Sequence, residues 1–399
     1  MVKRGAGRKV QGARRKAQVA GRRSQARRKV RVGVVFGGQS GEHEISLLSA
    51  QSVMRAMDKT KYEIVPIGVT PEGRWLAGGD PLKALTGGQA TMPKLLGARA
   101  VSQPASAVSR ALLPLVAGAR RSDAVDVIFP VLHGPMGEDG AAQGLFEVAD
   151  IPYVGAGVMA SAVGMDKAVM KDVFRAHGLP VAPHLVFLRR EWERDPAAVM
   201  TQIESRLGFP CFVKPANLGS SVGITKAHNH VELDTALAEA ASFDRKLLVE
   251  MAVPQAREIE CSVLGNDDPM ASAPGEVKPG REFYDYEAKY FDERTQLIIP
   301  APLSDELTAR VRELAIRAFR AVDCAGMARV DFLLASETGE LFVSEINTIP
   351  GFTAMSMYPK LWEASGIPYP ELIDRLIQLA LERHADKKRS RTSYGHVET

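Results

Sequence analysis

Two short segments, Met327-Ala328-Arg329-Val330-Asp331-Phe332 and Leu341-Phe342-Val343-Ser344-Glu345-Ile346-Asn347, constrain this chain more than any other feature. Each alternates apolar and polar residues, the period of a half-buried strand, and Ser336-Glu337-Thr338-Gly339-Glu340 between them has turn chemistry. An antiparallel hairpin is expected. With the turn centred near Thr338, Asp331 opposes Glu345 and Arg329 opposes Asn347, and all four side chains share a face because strand side chains repeat every two residues. Directly opposed carboxylates repel unless a cation lies between them. Asp, Glu and Asn form an all-oxygen donor set of the kind Mg²⁺ takes, with water and nucleotide phosphates completing its shell, so the pattern points to ATP. The bland alternative is a solvated face with incidental charges. The lack of Lys/Glu decoration, and the Ile349-Pro350-Gly351-Phe352 that follows at once, weigh against it.

The 399 residues suffice for two or three domains with real cores. No run approaches the roughly 18 apolar residues of a membrane span, and no apolar signal segment follows the N-terminus, so a cytoplasmic protein is expected. Cys211, Cys261 and Cys324 are far apart, without metal-ligand spacing, and read as buried free thiols. Residues 1–30 hold twelve Lys or Arg and no acid, so the net charge of +4 becomes −8 for the remainder. This leader reads as a disordered basic extension, with a nucleic-acid or anionic-surface tether and a transit peptide as alternatives.

Order is expected from Arg31. Val32 to Phe36 reads as a buried strand, Gly37 to Gly41 as a glycine loop and Ile45 to Met57 as a helix, the opening of a doubly wound α/β domain. Further strands are expected at Ile64 to Val69, Val125 to Leu132, Phe209 to Pro215 and Lys246 to Glu250. Domain limits follow: 31–155, an N-terminal parallel-sheet domain; 156–254, a central domain; 255–384, a C-terminal domain; and 385–399, a disordered tail.

Several residues have suitable chemistry. Glu42, at a helix start after the glycine loop, suits a substrate ammonium group, with helix capping the equal alternative. His133 reads as a general base, an anion ligand or a satisfied loop histidine. Lys214 through Gly223 is a glycine-serine loop whose backbone N–H groups, with Ser220 and Ser221, can cover phosphates. Lys167 reads by itself as a surface lysine. Glu250 and Glu258 have the chemistry to take adenine or ribose, and equally that of surface carboxylates. Phe283 to Tyr290 reads as an ordered loop able to close over a site, or as an edge strand.

In order along the chain, these motifs resemble the D-alanine–D-alanine ligase family of the ATP-grasp superfamily. The resemblance spans residues 31–384. It rests on Gly37-Gly38 through Glu42-His43-Glu44-Ile45-Ser46, His133-Gly134 through Gly137-Glu138-Asp139-Gly140, and Met165-Asp166-Lys167. Lys214-Pro215 through Gly223, Tyr284 through Tyr290, Arg329-Val330-Asp331 and Glu345-Ile346-Asn347-Thr348 complete it.

The resemblance implies a three-domain ATP-grasp fold, α/β (α+β) in class, that joins two D-alanines through a D-alanyl phosphate for peptidoglycan synthesis. ATP would lie between the central and C-terminal domains, with Lys167, Lys214, Ser220 and Ser221 at its phosphates, Glu250 and Val253 at adenine and Glu258 at ribose. Asp331, Glu345 and Asn347 would hold Mg²⁺, with Mn²⁺ as a substitute. Glu42 and His133 would receive the first D-alanine, Ser356 and Met357 the second. Arg329 and the Gly351 N–H would stabilise the tetrahedral oxyanion. Lys289 and Tyr290 would face the site from a closing loop, Tyr290 linking to Ser220 and Glu42. A homodimer is implied; no membrane partner is expected, and no nucleic acid apart from nonspecific contact by residues 1–30. Rival readings are an ATP-grasp ligase with another acceptor, such as D-lactate, and a nucleic-acid-binding protein that uses its leader.

Overall fold

The computed structural model describes residues 28–77, 79–86, 125–278 and 295–391. Lys289, Tyr290 and nearly all of the basic leader lie outside them. The described residues form three sheets, one in each expected domain.

The first contains β1 (Val30–Gly37), β2 (Tyr62–Val69), β3 (Trp75–Ala77) and β4 (Val127–Pro130), in the order β3-β2-β1-β4. β2, β1 and β4 are parallel, and β3 adds an antiparallel edge. Both faces of β1 are buried, as its run of apolar residues requires. Val32, Val34 and Phe36 pack under helices His43–Ala56 and Tyr369–Lys387, while Val35 packs with Ile67, Ile128 and Phe146 on the other side. The first core therefore extends into the end of the chain. Ordered structure does not stop at 384 as expected. The last helix runs to Lys387, anchored by Lys387 to Glu147 and by Lys388 to Asp150 at 2.8 Å.

The central sheet comprises β5 (His184–Leu188), β6 (Cys211–Pro215), β7 (Thr225–Ala227) and β8 (Lys246–Met251), antiparallel throughout in the order β5-β8-β6-β7. Helices Pro196–Arg206 and His230–Phe243 cover one face through Val199, Ile203, Leu233 and Leu237. Strand alternation puts Val213 and Val249 against them and turns Lys214 and Glu250 the other way.

The third sheet is built from β9 (Ala256–Gly265), β10 (Met270–Ala271), β11 (Gly275–Lys278), β12 (Gln296–Ile298), β13 (Gly326–Ala335) and β14 (Leu341–Asn347), ordered β12-β11-β9-β13-β14 with β10 beside β9. Helix Asp305–Ala321 presents Val311, Leu314, Ala315, Ala318 and Phe319 at helical spacing, and these pack on Ile259, Cys261, Val330 and Phe332. One face of the sheet is thereby committed to the core, and the polar positions of β9, β13 and β14 face the central domain. All three cysteines are buried and free.

Candidate active site

The hairpin has the register read from the sequence at its polar end: Arg329 pairs with Asn347 and Asp331 with Glu345. Nearer the turn the register slips by one, with Phe332 opposite Val343, so that Ser344 is an extra residue on β14. This bulge keeps both Val343 and Ile346 in the core while Glu345 and Asn347 point outward. On the other side of β13, Glu260 of β9 also pairs with Asp331. Three carboxylates, Glu260, Asp331 and Glu345, thus stand in line across the sheet.

The cation expected between them is in part Arg329. Its Nε lies 2.7 Å from Asp331 Oδ1 and 2.8 Å from Glu260, and its terminal amine donates to Asp331 Oδ2 at 2.8 Å. Burial opposes this charge, but Asp331 and Glu260 hold the guanidinium well above its ordinary pKa. Asn347 Nδ2 also donates to Asp331 Oδ2, at 2.9 Å, and Lys167 Nζ lies 3.8 Å from Glu345. Asp331, Glu345 and the amide oxygen of Asn347 are hard oxygen donors of the kind Mg²⁺ takes, so their chemistry fits that ion, although among the described residues no three His, Cys, Asp or Glu side chains are gathered as a metal cluster.

Opposite the hairpin, Glu42 is the N-cap residue of helix His43–Ala56, but its side chain makes no capping bond. The capping alternative is thereby removed. Its carboxylate instead accepts from Ser220 Oγ in the glycine-serine loop. Glycine is needed where the loops converge: a Cβ on Gly134, whose φ is +72°, would lie 3.0 Å from Glu42 Oε2, and one on Gly219 3.1 Å from it. Ser46 is structural, accepting from Gly37 N and donating to Val131 O. His133 is buried, with Nδ1 3.1 Å from Ile349 O and Nε2 3.4 Å from Ser49 Oγ. A carbonyl only accepts, so Nδ1 carries the proton, and burial lowers the pKa and keeps the ring neutral although Glu42 opposes this. Of the three readings, the satisfied loop histidine describes its contacts.

Asp166 caps helix Lys167–Ala176 by accepting from Ala168 N and Val169 N, which leaves Lys167 at the first helical position. Lys167 is not the surface lysine its sequence neighbours suggest. Only 8 % exposed, it donates to Leu218 O of the glycine-serine loop at 2.7 Å. Lys214 donates to Glu250 Oε2 at 2.6 Å. Glu250 is 1 % exposed and so is no surface carboxylate. Burial pushes its carboxyl up, yet Lys171 and Lys214 overcome this and hold it at about 2. Burial also lowers the Lys214 ammonium, but Glu250 raises it further.

On the acceptor side, Ser356 Oγ accepts from Thr353 N at 3.1 Å and lies 2.8 Å from Thr353 Oγ1, at the start of helix Met357–Ala364. Gly351 is fixed by its neighbour: Phe352 is fully buried, stacked edge-on against Phe129 at 5.5 Å, and its carbonyl accepts from Tyr369 OH at 2.6 Å. One cavity of about 710 Å³ is lined by Glu42, His133, Lys167, Lys214, Ser220, Ser221, Glu250, Val253, Glu258, Arg329, Asp331, Glu345, Asn347, Gly351, Ser356 and Met357. These are all the candidate residues that lie among the described residues.

Comparison with known proteins agrees with this geometry. Family models described as "D-ala D-ala ligase N-terminus" and "D-ala D-ala ligase C-terminus" match residues 31–156 and 173–378. The chain belongs to the D-alanine–D-alanine ligase family. A D-alanine–D-alanine ligase of Heliobacterium modesticaldum is 52% identical over 361 residues, 90% of this chain and 97% of that protein. One from Geobacillus thermodenitrificans is 51% identical over 362 residues, 90% and 98% of the two chains. Among solved structures, the D-alanine-D-alanine ligase of Coxiella burnetii superposes with a TM-score of 0.73 at 37% identity, covering 90% of this chain and 96% of that one. The VanG D-Ala:D-Ser ligase of Enterococcus faecalis gives 0.74 at 36%, covering 88% and 100%. The fold is the α/β ATP-grasp fold of this ligase family.

Three residues at or behind this ligase site are given no role by the sequence. Glu260 was hidden because β9 has near-continuous burial and no turn to set its register. Glu138 lines the cavity and accepts from Gly134 N at 3.0 Å; burial and then Glu42 push its carboxyl up to about 8. Lys171, fully buried, stands one helical turn after Lys167, and that spacing was the available signal.

Proposed function

We propose that this protein joins two D-alanines into D-alanyl-D-alanine, converting ATP to ADP and phosphate. The observation that carries the reading is the convergence in one cavity of Glu42, Lys167, Lys214, Arg329 and the acidic hairpin face. Each has the charge that one reacting group requires.

Glu42, oriented by Ser220, holds the ammonium of the first D-alanine. Lys167 and Lys214 bind the ATP phosphates, while Ser220 and Ser221 cover them. Glu250 and Val253 contact adenine and Glu258 the ribose. The D-alanine carboxylate oxygen attacks the γ-phosphorus and ADP leaves, giving D-alanyl phosphate. Asp331, Glu345 and Asn347 would hold Mg²⁺, or Mn²⁺ in its place, which supplies charge neutralisation at the transferring phosphoryl group. Ser356, beside Met357, orients the second carboxylate so that its neutral amine attacks the acyl carbon. Arg329 and the Gly351 N–H stabilise the oxyanion as the phosphate departs with the bridging oxygen and takes up the proton that the attacking amine loses. His133, held neutral, lines the same cavity as Glu42.

Supply of a peptidoglycan precursor, a cytoplasmic location and a homodimer complete the reading. Among the described residues no helix is long and apolar enough to cross a membrane. The likeness to a D-Ala:D-Ser ligase favours one second reading, with D-serine as the acceptor. The test is ADP release with products identified by mass, comparing D-alanine, L-alanine, D-alanine plus D-serine and D-alanine plus D-lactate. D-Ala-D-Ala as the main product wherever D-alanine is present, with no turnover of L-alanine, supports the reading. A main product ending in D-serine or D-lactate replaces the acceptor, and no D-alanine-dependent ADP release sinks the ligase.

A further inference from the structure

Lys171 ties its own helix to two strands without lining the cavity. Its Nζ lies 2.5 Å from Glu250 Oε1 on β8 and donates at 3.1 Å to the carbonyl of Ser344, the bulge residue of β14. The other oxygen of the same carboxylate receives Lys214, at 2.6 Å. Glu250 thus bridges two lysines. One faces the cavity at the end of the glycine-serine loop, and the other is sealed behind its wall at 1 % exposure.

This asymmetry matters when an anion arrives. A carboxylate buried this deeply is costly to leave without a cation. If Lys214 were its only partner, drawing Lys214 toward a phosphate would strip Glu250 of its counter-ion and oppose ATP binding. We propose that Lys171 is a positioning residue that serves as the permanent counter-ion of Glu250, and so releases Lys214 to the ATP phosphates. Through the Ser344 carbonyl it also fixes the bulge beside Glu345, so the central and C-terminal walls of the cleft are held by one ammonium group. The inference rests on the ATP-site reading above.

The test is equilibrium ATP binding to the full chain with Mg²⁺, together with KM values for ATP and D-alanine. Lys171→Met weakens ATP binding on the order of 100-fold, because recruiting Lys214 now leaves Glu250 unpaired. KM for D-alanine changes by less than about 3-fold, and Lys171→Arg recovers most of the loss, since it returns the charge. In a Glu250→Gln background the same Lys171→Met change costs less than about 3-fold, because no buried anion remains to be left behind. This neutral pair also supplies the result if Lys171→Met alone does not fold. Equal losses in both backgrounds, or unchanged ATP binding in Lys171→Met, overturn the inference. Because the readout is nucleotide binding, not dipeptide formation, failure of this inference and failure of the ligase reading are separate results.

Discussion

Replacing Arg329 tests two roles of one side chain. In the resting site its guanidinium is the main cation for Asp331 and Glu260, with contacts of 2.7 to 2.8 Å and only 15 % of the side chain exposed. Removing one partner of a buried ion pair costs about 3–5 kcal/mol, because the charge left behind is desolvated and unpaired. Arg329→Met takes the nearest cation from both Asp331 and Glu260, while the Asn347 amide on Asp331 and the residual exposure recover part of the loss. A destabilisation of about 3 kcal/mol follows, at the lower end of that range. Lysine restores the charge without the planar fork, so Arg329→Lys should lose about 1–2 kcal/mol. Mg²⁺ should return part of the methionine variant's loss, about 1.4 kcal/mol at ten times its Kd, because Asp331 then regains a cation. In turnover, loss of an oxyanion donor predicts a fall in kcat of about 10²- to 10³-fold. Urea unfolding with and without Mg²⁺, beside steady-state ADP release, measures both effects. A methionine variant within about 0.5 kcal/mol of the parent, with or without Mg²⁺, refutes the counter-ion argument, and an unchanged kcat refutes the oxyanion assignment.

Three other outcomes are expected. Glu42→Gln keeps the shape beside Ser220 but loses the charge, so KM for the donor D-alanine should rise about 10- to 100-fold with little change in KM for ATP; steady-state kinetics with each substrate varied checks this. Glu250 is held at about 2 in the folded protein against an ordinary 4.5, so its stabilisation is complete above pH 4.5 and is lost as the pH falls toward 2. Acid unfolding of Glu250→Gln should therefore be less steep across that window, by about 3 kcal/mol in total. Burial pushes the thiols of Cys211, Cys261 and Cys324 up to about 11, 12 and 12, so a thiol reagent at pH 8 should label the native protein slowly and three groups per chain in denaturant.

Much of the site was legible because its residues lie on elements with strong local patterns. The hairpin is the clearest case: alternation fixed which face Arg329, Asp331, Glu345 and Asn347 share, and the turn fixed the two functional pairings. The bulge at Ser344 left a trace too, since Val343 and Ile346 are both apolar at a spacing of three, which strict alternation forbids. Local pattern alone left Lys167 a surface lysine and Glu250 open, the resemblance put both at the nucleotide, and Lys171 was missed, all for a common reason. Burial of a charge depends on partners distant in sequence, such as the 79 positions between Lys171 and Glu250, and no local period reports it. Glu42 shows the converse limit. A helix-start carboxylate predicts capping and ligand binding equally well, and only the approach of Ser220 across the cleft separates them. The doubly wound reading of the first domain held for its parallel strands, while the antiparallel edge strand at Trp75–Ala77 is too short to carry a pattern.

Oxygen tracing shows whether ATP activates a D-alanine carboxylate before the peptide bond forms. D-alanine labelled with ¹⁸O in its carboxylate is turned over with unlabelled ATP in unlabelled water, and the released phosphate is analysed by mass. The bridging oxygen of D-alanyl phosphate leaves with the phosphate, so one ¹⁸O should appear in phosphate for each dipeptide made. Dipeptide formed with unlabelled phosphate contradicts it.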